Sequence, residues 1–364
     1  MTDRGRDMTP LAGLLLDRIA ANGPLTVADY MTECLLHPIH GYYTTRQPFG
    51  ATGDFITAPD ISQMFGELLG LCLAQTWLDQ GAPAAFALAE LGPGRGTLMA
   101  DILRVTARVP GFHAAAHVHL VEASPRLRTA QASTLSPLWP ADRVTWHDRA
   151  DDLPQQPLYL VANEFFDALP IRQFQRGDDG FSEIVIGSKG DRLTPGLVPA
   201  PALASLDARL ADTRPGDVVE ICATAPLIAG QIGQRIADHS GAALILDYGD
   251  WRSLGDTLQA MGQQTHVSPF DRPGAVDLTA HVDFEALVAH LPCAHSRLTP
   301  QGVFLERLGI TARAQALAAQ LTGPAHEAHV AAHRRLTHPQ EMGTLFKVVA
   351  LFPKGSAPPP GLDA

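Results

Sequence analysis

The sequence has little that would hold it together by covalent or metal chemistry. Its 364 residues include only four cysteines, Cys34, Cys72, Cys222 and Cys293. They lie far apart and form no CxxC pair, which argues against a disulfide framework and a cysteine zinc site and for a reducing compartment. Positive charge is also scarce, since 27 lysines and arginines against 38 aspartates and glutamates give a formal charge of −11. Phosphate binding needs a basic face, so no nucleic-acid partner is expected, and a cationic target suits the chain better. No apolar run approaches the roughly 20 residues that cross a bilayer. The opening MTDRGRDMTP has two aspartates and no apolar core, so it reads neither as a signal peptide nor as an organellar presequence. No membrane insertion is expected, and the cytoplasm is the expected setting, with the mitochondrial matrix as its eukaryotic equivalent. Internal repeats are absent, and only the closing SAPPPGLDA, within 354–364, reads as a disordered tail.

What is present suits a globular chain, with 46% hydrophobic residues and length enough for one elaborated domain or two. Its organising stretch is Glu90 to Thr97, ELGPGRGT. An apolar run, AAFALA, precedes it, and LMADILRVTAR follows with Leu98, Ile102 and Val105 at helical spacing, giving the order strand, glycine loop, helix. Gly92, Gly94 and Gly96 permit positive φ and let the backbone and the first helical N–H groups approach a ligand. A dinucleotide fingerprint needs GxGxxG, whereas here the spacing is GxGxG with Thr97 where the last glycine would stand. A nicotinamide enzyme is therefore the least attractive reading. An acid before the first glycine suits S-adenosylmethionine (SAM), whose ammonium Glu90 can meet, although any glycine turn can also simply join a strand to a helix.

Further strands extend this pattern. HVHLVEAS, residues 117–124, ends in Glu122, at the distance where doubly wound folds place an acid on ribose hydroxyls, though a strand-end surface charge reads the same. Asp148 follows the strand VTWH and either accepts from an adenine amino group or is a solvated loop acid. LYLVAN, residues 158–163, delivers Asn163, Glu164 and Asp167 to its carboxyl end, where ligands of open α/β sheets bind. Two acids beside Phe165 and Phe166 suit a guanidinium, which takes bidentate carboxylates and aromatic faces; packing and turn-capping roles are the alternative. ALILDYGD supplies a fifth strand, and its Asp247 either lines the site or only ends the strand. IRQFQR and FSEIVIG flank GDDG as a hairpin. The stretch 262–281 is long and nearly free of pattern, and it contains His266 and Asp277. His326, His329 and His333 share a helical face, but HEAH is not HExxH and no metal is expected.

Longer blocks carry a family likeness. HGYY, PFG, GDFITAP, ISQMFGELLG, ELGPGRGTLMADILR, NEFFDALP, LDYGD and DLTAHVDF, in this order, resemble the signature of the MidA-like SAM-dependent methyltransferases, over about residues 24 to 352. That family includes a mitochondrial assembly factor that methylates an arginine in a core subunit of respiratory complex I. The resemblance implies an α/β fold, a class I Rossmann-like sheet with a helical N-terminal extension and an inserted substrate-side region. The expected division is 1–83 as extension with an active-site loop, 84–170 and 218–353 as the two halves of the sheet core, and 171–217 as insertion. SAM is the implied cofactor, held by Glu90, Gly92, Gly94, Gly96, Thr97, Glu122, Asp148 and Asp54. Glu164, Asp167, Asn163 and His266 are the implied catalytic set, and the implied partner is a protein substrate, a complex I core subunit, with a homodimer possible. NEFFDALP departs from the asparagine-proline motif of many methyltransferases by offering carboxylates and phenylalanines. A small-molecule methyltransferase and an assembly chaperone without turnover are the competing functions.

Overall fold

The computed structural model describes residues 8–45, 57–262 and 265–364. Asp54 lies outside them. The described chain divides into two compact units, a sheet unit drawn from residues 57–166, 226–251 and 284–364, and an accessory unit drawn from residues 8–45, 167–225, 252–262 and 265–283.

The sheet unit is built around interior strands that are buried from end to end rather than on alternate residues. β1 (Phe86–Leu91), β2 (Ala116–Val121), β3 (Val144–His147), β4 (Leu158–Asn163), β5 (Gly241–Asp250), β6 (Ala294–His295) and β7 (Phe346–Phe352) lie in the order β3-β2-β1-β4-β5-β7-β6. The first five are mutually parallel, with Leu88 opposite Val118, Ala89 opposite Leu160 and Ile245 opposite Ala162. β7 runs antiparallel to β5, with Ile245 opposite Val349. Every residue of β1 and β4 is buried, as interior strands covered on both faces require. The order reverses direction at β1 and β4, so their carboxyl ends open the crevice in which such sheets take ligands.

The helices of this unit include α1 (Gln63–Asp79), α2 (Thr97–Thr106), α3 (Pro125–Leu135) and α4 (Ala225–His239). Ser62 and Ser124 cap α1 and α3 through their hydroxyls, and Pro125 occupies the first position of α3. α1 was expected in a separate extension ending at residue 83. Instead its Met64, Phe65, Leu69, Leu73 and Trp77 share one core with Phe86, Leu88, Ile102 and Leu103. The cause is legible in α1 itself, which is apolar nearly all round and so must be enclosed. Gly66 makes the close approach to α2 possible, because a Cβ there would stand 2.6 Å from Asp101 Cβ.

The accessory unit joins the N-terminal helices Pro10–Asn22 and Val27–Leu36 to an antiparallel sheet of Leu25–Thr26, Arg172–Arg176, Phe181–Lys189, Arg192–Pro199 and Val218–Ile221. Thr9 and Thr26 cap the two helices. The hairpin about GDDG is present, with Gln173 opposite Ile184. Val218–Ile221 was expected to begin the second half of the core, but it pairs with Arg172–Arg176 and belongs to this sheet. The stretch 262–281 is also more regular than expected. Gln259–Gly262 pairs with Thr265–Val267 and with Asp277–Thr279, in strands too short for their alternation to be read from sequence.

The closing residues correct another expectation. Leu362 is buried in the core of the sheet unit, the Cys72 thiol donates to Pro360 O at 3.4 Å, and Arg297 N donates to Asp363 O at 2.8 Å. Proline and glycine there shape a strap anchored by buried Pro359 and Leu362.

Candidate active site

The glycine loop leaves β1 and starts α2. Gly92, Gly94 and Gly96 have φ of 60°, 51° and 82°, left-handed values that residues with a Cβ adopt only at a cost. Gly92 is tight as well, because a Cβ there would come within 3.0 Å of the Phe165 ring. Helix α2 begins at Thr97 with Gly96 as its cap residue and no side-chain cap from that position. Glu90 supplies the missing acceptor by taking the Met99 N–H. Its other carboxyl oxygen, Oε2, is buried and has no hydrogen-bond partner among the described residues. Burial, with the nearby charges of Asp101 and Glu122, pushes Glu90 up to about 8. A buried acid with an unused oxygen at the head of a left-handed glycine loop is unfinished electrostatics, which a cation would complete.

Glu122 stands at the end of β2, beside β1. It is buried, and burial raises its pKa against the opposing hydrogen bonds from Ser124 N at 2.8 Å and Gln131 Nε2 at 3.2 Å. Gln131, on α3, is fully buried and also donates to Gly94 O at 2.9 Å, while its own oxygen accepts from Trp146 Nε1 at 2.9 Å. One amide thus ties the loop to the neighbouring acid. Asp148, beyond β3, is exposed and ion-paired with Arg128. Arg95, inside the loop, pairs with Asp60 at 2.7 Å, and Asp60 also takes Thr97 Oγ1 at 3.5 Å. Gln131 and Asp60 were missed in the sequence, where neither stands in a glycine or strand-end motif; the ISQMFGELLG block ran close by Asp60 without marking it.

The β4 end carries Asn163 and Glu164. Glu164 holds a left-handed φ of 52°, rare for a residue with a long side chain, and its N–H donates to Leu246 O on β5 at 2.9 Å. Its carboxyl accepts from Ala58 N at 3.3 Å and Asn163 Nδ2 at 3.1 Å, and burial pushes it up to about 7. Asn163 Oδ1 is buried without a partner among the described residues. Asp247, fully buried at the end of β5, accepts from Phe166 N at 2.9 Å and Tyr248 N at 3.0 Å. Its carboxylate therefore shapes the turn after β4. Phe165 and Phe166 meet edge to face at 5.2 Å, Phe166 buried and Phe165 against Gly92.

Asp167 belongs to the accessory unit, where its carbonyl accepts from Ala280 N at 2.9 Å. In the same unit Tyr43, from the HGYY segment, donates to both carboxylate oxygens of Asp277 at 3.0 and 3.1 Å. Burial first, then the charges of Asp277 and Asp167, raises the Tyr43 phenol well above its ordinary value. His266 sits exposed on Thr265–Val267. The histidines that share a helical face make local contacts, His329 Nε2 to Ala314 O at 2.9 Å and His333 Nε2 to Thr311 Oγ1 at 3.0 Å.

Strand order and site together define a methyltransferase of the SAM-dependent class: the loop's φ values favour glycine and leave its backbone open to a ligand, and the unpartnered Glu90 oxygen fits the ammonium end of the cofactor. The sequence matches, over residues 68–303, the family described as "putative S-adenosyl-L-methionine-dependent methyltransferase". The chain belongs to this family, in its MidA-like branch. It is 38% identical over 373 residues to "Protein arginine methyltransferase NDUFAF7, mitochondrial" of Mus musculus, covering 95% of this chain and 85% of that one. With the homologue of Drosophila melanogaster it is 36% identical, covering 94% and 85%. A crystal structure from Burkholderia thailandensis, with S-adenosyl-homocysteine bound, superposes with a TM-score of 0.82 at 29% identity, covering 97% of this chain and 92% of that one. Among the described residues no helix is long and apolar enough to cross a membrane.

Proposed function

We propose that this protein methylates an arginine side chain of another protein, a core subunit of respiratory complex I, and thereby aids its assembly. The relatives named protein arginine methyltransferases support the acceptor class. The observation that carries the reading is the pair of unused acceptors at the sheet's carboxyl ends: Glu90 Oε2 at β1 for the cofactor and Asn163 Oδ1 beside Glu164 at β4 for the target. Glu90, the glycines and Thr97 would hold the amino acid end of SAM, and Glu122 the ribose; Asp148 would first have to release Arg128. SAM supplies an electrophilic methyl on a sulfonium.

A guanidinium is a poor nucleophile because its lone pairs are delocalised and it stays protonated. Glu164 and Asn163 oppose this by accepting its N–H groups, localising positive charge away from the attacking nitrogen. As the new C–N bond forms and the C–S bond breaks, that nitrogen loses a proton. A carboxylate held near 7 can receive it, which fits Glu164 better than the exposed His266. Asp167 is the second carboxylate of the proposal. The cytoplasmic setting and the possible homodimer belong to it as well.

The test joins calorimetry with mass spectrometry. Wild-type protein binds SAM and installs dimethylarginine on a purified complex I core subunit; Gly94→Val binds no SAM; Glu164→Gln binds SAM and transfers slowly. Binding that survives Gly94→Val, or full transfer by Glu164→Gln, overturns the residue assignments, and absence of arginine methylation by the wild type overturns the function.

A further inference from the structure

The accessory sheet carries a second site that the chemistry at Glu90 and Glu164 does not use. Leu197 on Arg192–Pro199, Ile184 on Phe181–Lys189, Gln173 on Arg172–Arg176 and Glu220 on Val218–Ile221 stand opposite one another in succession. Directly opposed residues of antiparallel strands share a face, so these four form one row across the sheet. Over this row lies a groove of about 340 Å³, walled by Pro195, Leu197, Leu258 and Phe270. That volume is at the low end of the roughly 300–1,000 Å³ of ligand pockets, room for a side chain rather than a large cofactor.

The groove is a built one. Gln173 is buried at its floor, and its amide donates to Glu220 at 2.8 Å and to Asp256 at 2.7 Å. Glu220 is occupied further by the Thr257 N–H at 2.9 Å and by the Thr257 hydroxyl. Asp256 is thus held in orientation while remaining exposed at the rim. The far wall is fixed too, because Tyr30 donates to Pro269 O and its ring packs 5.6 Å from Phe270. Exposed Leu197 opposite gives an apolar slot ending in a carboxylate. The surrounding charge has the same sign, since the described residues of this unit include 16 acids against nine bases.

We propose that this groove docks a basic side chain of an extended segment of the protein substrate, its aliphatic stem between Leu197 and Phe270 and its cation on Asp256. The inference rests on the reading that the substrate is a protein. Such docking selects a substrate by residues other than the one methylated.

Fluorescence anisotropy of the full chain with labelled Ala-Leu-Arg-Leu-Ala, and with the same peptide carrying uncharged citrulline for arginine, tests it. The wild type should prefer the arginyl peptide several-fold, and Asp256→Lys and Leu197→Lys should each weaken it by about 10-fold or more, since like charges at a contact are costly. Both changes lie at exposed positions, and calorimetric SAM affinity should stay unchanged in both. Equal binding of the two peptides by the wild type, or wild-type affinity in both variants, overturns the groove. Methyl transfer that persists with either of those results leaves the function standing, and peptide discrimination without any methyl transfer removes the function alone.

Discussion

Glu90 couples stability to protons and, on the function proposed above, to ligand. Its pKa is raised from an ordinary 4.5 to about 8. Between those values the folded chain keeps a proton that the unfolded chain has released, so unfolding releases protons and stability falls as pH rises. The favourable contribution is complete below about 4.5 and is lost as pH climbs through 8, at up to about 1.4 kcal/mol per pH unit. Glu164, pushed to about 7, acts in the same direction. Glu90→Gln removes the first of these, so its melting temperature should decline less than that of the wild type between pH 5 and 8 in thermal scans. A cation seated on Glu90 favours the ionised form, so SAM binding should release a proton near neutral pH, read as a buffer-dependent calorimetric enthalpy that Glu90→Gln abolishes. Identical pH slopes in the two proteins, together with no proton release, would contradict the role of Glu90.

At the scale of elements, α3 matters because of what it hands across to the loop. Gln131→Leu keeps the volume but removes the donor to Gly94 O and Glu122 and the acceptor for Trp146. Each buried group left without a partner costs about 1–3 kcal/mol, so the variant should melt several degrees lower and bind SAM more weakly. A lowered melting temperature with unchanged SAM affinity would reduce Gln131 to a structural residue. This contact also marks the limit of sequence reading. β1, the loop, α2 and the acid after β2 are all local patterns, continuous apolar runs and glycines at fixed spacing, and they are legible in order. Gln131 is a mid-helix glutamine whose importance comes from two partners 37 and nine residues away. Asp60 likewise meets Arg95 only in three dimensions. The assignment of Val218–Ile221 to the accessory sheet escaped for the same reason, since a strand's partner is set by the fold rather than by its own residues, whereas the place of α1 in the core is written in its own all-round apolar surface. The strap at 354–364 escaped because its composition imitates disorder while buried Pro359 and Leu362 anchor it.

Over the whole molecule the charge is unevenly placed, and this separates the two ligands. The accessory unit's described residues hold 16 of the chain's 38 acids and nine of its 27 bases, and they carry the groove proposed for a basic segment. Exposed charges attract a partner through solvent, and salt screens them: the Debye length shrinks from about 10 Å at 0.1 M to about 3 Å at 1 M. Glu90 and Glu122, by contrast, are buried, where screening is weak. Raising ionic strength over that range should therefore increase KM for a basic protein acceptor several-fold, mainly by slowing association, while KM for SAM changes little. Steady-state kinetics at a series of salt concentrations, varying one substrate at a time, makes the comparison. If both constants move together, salt is acting on the fold or on the chemical step, and the acidic unit has no part in recruiting the acceptor.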